Sequence, residues 1–179
     1  IQRVHDALRE KVRKAVNKTP TPTAAVLDSK SVRTAEGGEE CGYDAAKKVG
    51  GRKIHLAVDT LGLVLMVVVH SAGLQDHDGA CFVVSRLKAK FKRLKVLFAD
   101  SAYGRNGLPE WVNETFGWLL QIVPRPADAE GFVVLPKRWI VERTFAWLAH
   151  YRRTVRGYEK TTLSSEAFVH LAMIRLMAR

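Results

Sequence analysis

Ala24-Ala-Val-Leu-Asp28-Ser29 and Val96-Leu-Phe-Ala-Asp100-Ser101 decide the reading of this chain: two apolar runs, each ending in the same Asp-Ser dipeptide. A carboxylate placed directly after a buried strand is costly unless it is solvated, paired or bound to metal. In open α/β sheets the crevice beyond the strand ends is where ligands bind. Two neighbouring strands ending in Asp bring two carboxylates close together, and such a pair repels itself unless a cation neutralises it. Hard oxygen donors with no Cys or His nearby suit Mg²⁺ or Mn²⁺. A lone Asp after a strand more often caps a turn. Asp59, which follows Leu-Ala-Val and precedes Thr60-Leu61-Gly62, is read that way. The matched pair at 28 and 100 is what points to a site.

Outward from these runs the pattern is α/β. Residues 24–27 form a short strand, and the charged, Gly-rich stretch 36–50 reads as loop. Residues 53–58 and 63–70 read as strands joined by the turn at Asp59. A helix follows over 75–91, with Asp76 or Asp78 at its start; a helix N-terminus explains Asp76-His77-Asp78 better than a metal site does. Then come a strand at 95–99, a helix at 108–115 opened by Pro109, a strand at 117–123 and a connecting loop over 124–135. Pro136 opens a helix to about residue 153, and a last helix spans 165–177. Three early strands able to pair antiparallel, and two reached through helical crossovers, make a mixed sheet flanked by helices.

Upstream, Ile1, Val4, Leu8, Val12 and Val16 recur at helical spacing among Arg3, Arg9, Lys11, Arg13 and Lys14. That is a basic amphipathic helix with an apolar stripe. Thr19-Pro20-Thr21-Pro22-Thr23 ends it as a stiff linker. The domain division expected is therefore residues 1–23 as helix and linker, 24–160 as the main domain, and 161–179 as a C-terminal helix packed on it.

The chain has 179 residues, and 29 Lys and Arg stand against 18 Asp and Glu, a net charge of +11. Such an excess points to a polyanionic partner, because each neutralised phosphate releases counterions. The strongest apolar run, 61–69, is strand length, so no membrane span is expected. Cys41 and Cys81 have no paired-cysteine spacing, which argues against a zinc site and fits a reducing cytoplasm.

A third carboxylate lies on the helix from Pro136. Arg138 and Glu142 are four apart and share a face that Ala146 and Ala149 continue, so that face can approach the sheet closely. An i,i+4 salt bridge on a solvated helix is the other reading of the pair. Lys47, Lys48, Arg52 and Lys53 cluster before the second strand, and Arg105, Arg138, Arg143, Arg152 and Arg153 fall near the site by sequence. All nine are candidate phosphate contacts, with solvated surface charge as the alternative. Trp139 and Trp147 read as core anchors of their helix rather than as platforms for a flipped base.

Five motifs taken together carry a resemblance. Asp28-Ser-Lys-Ser-Val, Gly50-Gly-Arg-Lys-Ile-His-Leu-Ala-Val-Asp-Thr-Leu-Gly, Ala99-Asp-Ser-Ala-Tyr-Gly, Arg138-Trp-Ile-Val-Glu-Arg-Thr-Phe-Ala-Trp-Leu and Tyr151-Arg-Arg-Thr-Val-Arg-Gly-Tyr-Glu resemble bacterial insertion-sequence transposases of the DDE type. The resemblance covers roughly residues 20–165. It implies an RNase H-like fold, with three antiparallel strands plus two parallel ones, and places the family's three acids on Asp28, Asp100 and Glu142. It further implies two bound Mg²⁺ or Mn²⁺ ions, cutting at terminal inverted repeats, and joining of the freed 3′-hydroxyl to target DNA. A homodimer paired on DNA and a bacterial cytoplasmic, nucleoid-associated location belong to the same implication. Related transposases place an Arg four residues before the Glu, as Arg138 stands here. Some add a Tyr and a Lys or Arg where this chain has Leu135 and Ala149. Family members also carry a longer helical region upstream, which makes residues 1–23 read as its remnant. A truncated, catalytically inactive transposase that binds DNA non-specifically is thus the alternative, followed by an RNA-binding module and a simple nuclease.

Overall fold

The computed structural model describes residues 1–35, 38–124, 131 and 134–179. Strand β1 (Ala24–Arg33) is the spine of the sheet. It pairs antiparallel with β3 (Val49–Val58) on one side and parallel with β5 (Val96–Ala99) on the other. β4 (Val64–Ser71) forms the hairpin partner of β3, and β6 (Leu119–Ile122) lies parallel outside β5. A short β2 (Gly42–Asp44) pairs with the first residues of β3. The expected mixed sheet is present, with an antiparallel trio of long strands and a parallel pair. Strand β2 falls within the stretch read as loop. Three residues, Gly-Tyr-Asp, carry no alternation that periodicity can detect. Most of the loop expected over 124–135 lies outside the described residues.

The period of two along the central strands feeds two cores. Ala25, Leu27 and Ala57 pack with Val83 and Leu87 of α2 (Asp76–Lys90) and Val112 of α3 (Leu108–Phe116). Val26, Leu56 and Val58 pack with Ile140, Val141 and Phe145 of α4 (Arg138–Leu148) and with Val169 and Met173 of α6 (Thr162–Met177). Both faces of the sheet are covered, which is why its strands read as nearly unbroken apolar runs.

Three elements depart from expectation for physical reasons. β1 does not stop at Leu27 but continues through Asp28 to Arg33, because β3 offers a continuous partner: Asp28 faces Leu56, Ser29 faces His55 and Ser31 faces Lys53. The helix expected over 136–153 is broken. α4 ends at Leu148, Tyr151 is extended, and a four-residue α5 (Arg152–Val155) follows. The Thr154 hydroxyl donates to the Leu148 and Tyr151 carbonyls and holds that corner. α6 starts earlier than read, because Thr161 caps it by accepting from Ser164 N at 3.2 Å.

The N-terminal helix α1 (Gln2–Ala15) reverses its expected orientation. The apolar stripe is largely exposed, Val4 being 54% accessible, while His5, Arg9 and Arg13 are buried. The surface that α1 covers is mixed, since Val12 packs against the core on the α4 and α6 side while other contacts are polar. Arg13 pairs with Asp59, whose side chain is fully buried, and the Arg9 guanidinium lies 4.8 Å from the Phe91 ring centre. Lys90 reaches Asp6 at 2.6 Å, and the His5 and His170 ring centres lie 4.6 Å apart with their planes tilted by 59°.

Burial, followed by His5, pushes the His170 imidazole down to about 4, and burial with His70 pushes His55 down to about 3. Both are neutral in the folded chain, whereas unfolded histidine takes its proton near 6.5. The unfolded state therefore binds more protons below that value, and stability is lost as pH falls from 6.5 toward 4. The expected loss is about 1.4 kcal/mol per pH unit for each such histidine. Urea midpoints measured from pH 7 to 5 check this, and His170→Gln should flatten the slope.

Gly62 is the other exacting position. Its φ is +82°, and an added Cβ would stand 2.9 Å from Thr144 Oγ1 and 3.1 Å from the Trp147 ring. The β3–β4 turn docks there on α4, with Thr144 donating to Gly62 O at 2.8 Å and Arg143 donating to Leu61 O at 2.9 Å. Gly62→Ala is expected to cost about 2 kcal/mol in urea unfolding, through both φ strain and overpacking.

Candidate active site

The parallel register of β1 and β5 runs from Ala24 beside Val96 to Val26 beside Phe98. Carried two residues further, it sets Asp28 level with Asp100. Asp28 Oδ1 accepts from Ser29 N at 2.8 Å. Asp100 Oδ1 accepts from Ala102 N at 2.9 Å and caps the 3₁₀ turn Ser101–Gly104. α4 brings in the rest. Arg138 Nη2 lies 3.5 Å from Asp100 Oδ2 and 3.8 Å from Glu142 Oε1. Asp28 and Glu142 line one open cleft of about 510 Å³, together with Lys47, Ser31, Ala146 and Ala149. Ala146 and Ala149, expected to bring the Glu142 face close to the sheet, instead stay exposed and line this open cleft. Both readings of the Arg138–Glu142 pair hold at once, since the ion pair exists and extends to Asp100.

Charge is unbalanced at the bottom of this cleft. Burial pushes the Asp28 carboxyl up to about 7, and Asp100 adds to the rise; the Ser29 amide, Arg138 and Lys47 oppose it. Among the described residues, no three His, Cys, Asp or Glu side chains stand close enough to hold an ion as they are placed. Arg138 supplies the positive charge between Asp100 and Glu142 instead. The donor set nonetheless fits a hard divalent cation. It consists of carboxylate oxygens, one of which burial has raised to about 7, so that a cation would favour its ionised form.

Behind β1 lies a polar layer that pattern reading missed. Ser29 Oγ donates to Asp76 at 2.6 Å, Asp76 pairs with Lys53 Nζ at 3.0 Å, and Lys53 donates to Leu74 O at 2.8 Å. Ser31 Oγ donates to Asp44 at 2.6 Å. Beside this network runs a directional chain. The Ser71 carbonyl can only accept, so His70 Nδ1 carries its hydrogen at 2.9 Å, leaving His70 Nε2 to accept from His55 Nδ1 at 3.4 Å. His55 Nε2 then accepts from the Tyr103 hydroxyl at 2.9 Å. Desolvation holds both rings neutral, which keeps this order of donors. The signal available in the sequence was a lone His within each of two apolar strands.

The candidate phosphate contacts divide. Lys47 and Lys48 are exposed at the turn between β2 and β3, and Arg105 is exposed just past the 3₁₀ turn. Arg152 is exposed on α5, and Arg153 pairs with Glu159 at 2.8 Å. Arg52 and Lys53 correct the reading. Arg52 is buried and donates to the carbonyls of Glu39 (2.7 Å), Glu159 (2.9 Å) and Lys160 (2.8 Å). Lys53 is spent on Leu74, Asp76 and Asp44. Both cations tie the protein to itself. Arg143 is held 4.7 and 4.6 Å from the Trp139 and Trp147 ring centres. Trp139 is 39% exposed, so it is no core anchor. Asp76 and Asp78 do sit in the first turn of α2, but neither side chain caps it.

A transposase DDE domain model matches residues 19–177. The chain belongs to the transposase DDE domain family. No curated protein matches its sequence. Among solved structures, the catalytic core domain of BIV integrase is similar with a TM-score of 0.52, at 17% identity, over 86% of this chain and 82% of that one. That likeness is one of fold, and it makes the mixed sheet of this transposase domain RNase H-like. No described helix of the transposase domain is long and apolar enough to cross a membrane.

Proposed function

We propose that this transposase domain cuts DNA at the terminal inverted repeats of its element and joins the freed 3′-hydroxyl to target DNA. Asp28, Asp100 and Glu142 would hold two Mg²⁺ or Mn²⁺ ions. The observation that supports this reading is that Asp28 of β1 and Glu142 of α4 line one cleft with Lys47, while Arg138 joins Glu142 to Asp100 at the end of β5. Bound divalent metal supplies charge neutralisation at the attacking and leaving oxygens of phosphoryl transfer.

The chain's own residues do the rest. Asp28 sits on the central strand of the sheet, two residues beyond the last β1–β5 pair, as Asp100 does on the other side. The Ser29–Asp76–Lys53 layer braces that stretch of β1 from behind. Arg138, partnered with two acids, is placed to meet a phosphate when those acids turn to cations. Lys47, at the cleft mouth, adds a second contact for the backbone. Two ends must be brought together for transposition, so the active form on DNA is a homodimer.

A labelled duplex carrying the element's ends, incubated with target plasmid and Mg²⁺, tests the reading. Joined product is expected. Hydrolysis without joining would mark a nuclease, and binding without either would mark an inactive DNA-binding remnant.

A further inference from the structure

On the far side of α4 lies a second basic feature that the carboxylate cleft does not use. Three hollows that share lining residues, of about 450, 410 and 410 Å³, lie there, the first two against α6. His150, Tyr151 and Arg175 line both of the first two, and Arg152 and Arg153 line both the second and the third. The hollows therefore form one trough between the α4–α5 corner and α6. Arg179 extends it at one end and Tyr158 at the other. α4 is the wall between trough and cleft, presenting Ala146 and Ala149 to the cleft and Trp147 to the trough.

Its chemistry selects a polyanion. Among the described residues no Asp or Glu lines the trough; Glu159, bound to Arg153, is buried. The guanidiniums lie over rings, Arg175 at 5.7 Å from Tyr151 and Arg153 at 5.1 Å from Phe168 and 5.6 Å from Tyr158. A stacked guanidinium keeps its in-plane N–H donors for phosphate or carboxylate oxygens. Each of these rings thus has a guanidinium near it, which leaves less free face for stacking of single-stranded bases. From Phe168 to Met177 the trough follows about two and a half turns of α6, on the order of 14 Å, with Arg179 just beyond the helix end.

We propose that this trough is a second DNA seat, holding the phosphate backbone of a duplex segment separate from the one in the carboxylate cleft. That the polyanion is DNA rests on the reading of the cleft given above; the shape and charge of the trough do not.

The test is fluorescence anisotropy with a labelled duplex of unrelated sequence, using protein carrying Asp28→Asn so that nothing is cut. Arg175→Gln with Arg179→Gln should weaken binding roughly ten-fold or more near 0.1 M salt and reduce the slope of log K against log[salt] by about two. Arg175→Lys with Arg179→Lys should keep that slope. Unchanged affinity and slope in the Gln pair would overturn the proposal. So would tighter binding of an RNA duplex that shows the same loss. Failure of strand transfer with trough binding intact would count against the catalytic reading alone, and intact strand transfer with unchanged anisotropy against the trough alone.

Discussion

Asp28→Asn is expected to reduce DNA cleavage by three orders of magnitude or more, on the order of what loss of metal-assisted phosphoryl transfer costs, without unfolding the chain. Asp28 carries a carboxyl that burial and Asp100 push up to about 7. Keeping an acid raised in this way costs folding stability at neutral pH, since the unfolded carboxyl ionises near its ordinary value of 3.8. The neutral amide escapes that cost, so the melting temperature in metal-free buffer should rise, not fall. Asp100→Asn retains an oxygen to accept from Ala102 N, and Glu142 stands partly exposed on α4, so Asp100→Asn and Glu142→Gln should also leave the fold intact while abolishing cutting. Cleavage and thermal melts measured side by side on the three variants check this. Wild-type cutting by any one of them would remove that carboxylate from the mechanism.

Arg13→Ala is expected to destabilise the chain by about 3–5 kcal/mol, the usual consequence of stranding a buried charge. Asp59 is fully buried, and its second oxygen pairs with Arg13. Its first accepts from Leu61 N at 2.8 Å and Leu63 N at 3.0 Å, and so shapes the β3–β4 turn. The same turn presents Gly62 and Leu61 to Thr144 and Arg143 of α4. Loss of Arg13 should therefore reach the helix that carries Glu142 and weaken cleavage as well as stability. Adding Asp59→Asn to Arg13→Met should recover part of the loss, because no net charge is then left buried. A urea midpoint equal to wild type for Arg13→Ala would mean that α1 is only loosely associated with the domain.

The contrast between Asp28 and Arg13 shows what the sequence makes legible. Asp28 and Asp100 end matched apolar runs, and apolar runs are what periodicity detects; the sheet, its two faces and the pair of acids follow from them. The spacing of Glu142 with Arg138 fits a site ligand and a salt bridge equally, and it is the family resemblance that places the third acid there. The misses share a different character. Ser29, Ser31, His55, His70 and Tyr103 form a buried polar layer whose members come from β1, β3, β4 and the turn after β5, so that no local window contains the pattern. α1 shows the same limit: Val4 and Val16 look like part of a core stripe but are exposed, while Val12 packs on the core and Arg13 pairs with the distant Asp59. Arg52 and Lys53 looked like surface charge because nothing near them in sequence announces the carbonyls of residues 74, 159 and 160 that receive them.

Titration of the metal-free protein with Mn²⁺, followed by electron paramagnetic resonance, tests most directly the claim that these three carboxylates form one metal site. Saturable binding is predicted, strengthening as pH is raised through about 7 while the Asp28 carboxyl loses its proton, and lost in Asp28→Asn. Equal binding by the intact chain and by Asp28→Asn, Asp100→Asn and Glu142→Gln would contradict it.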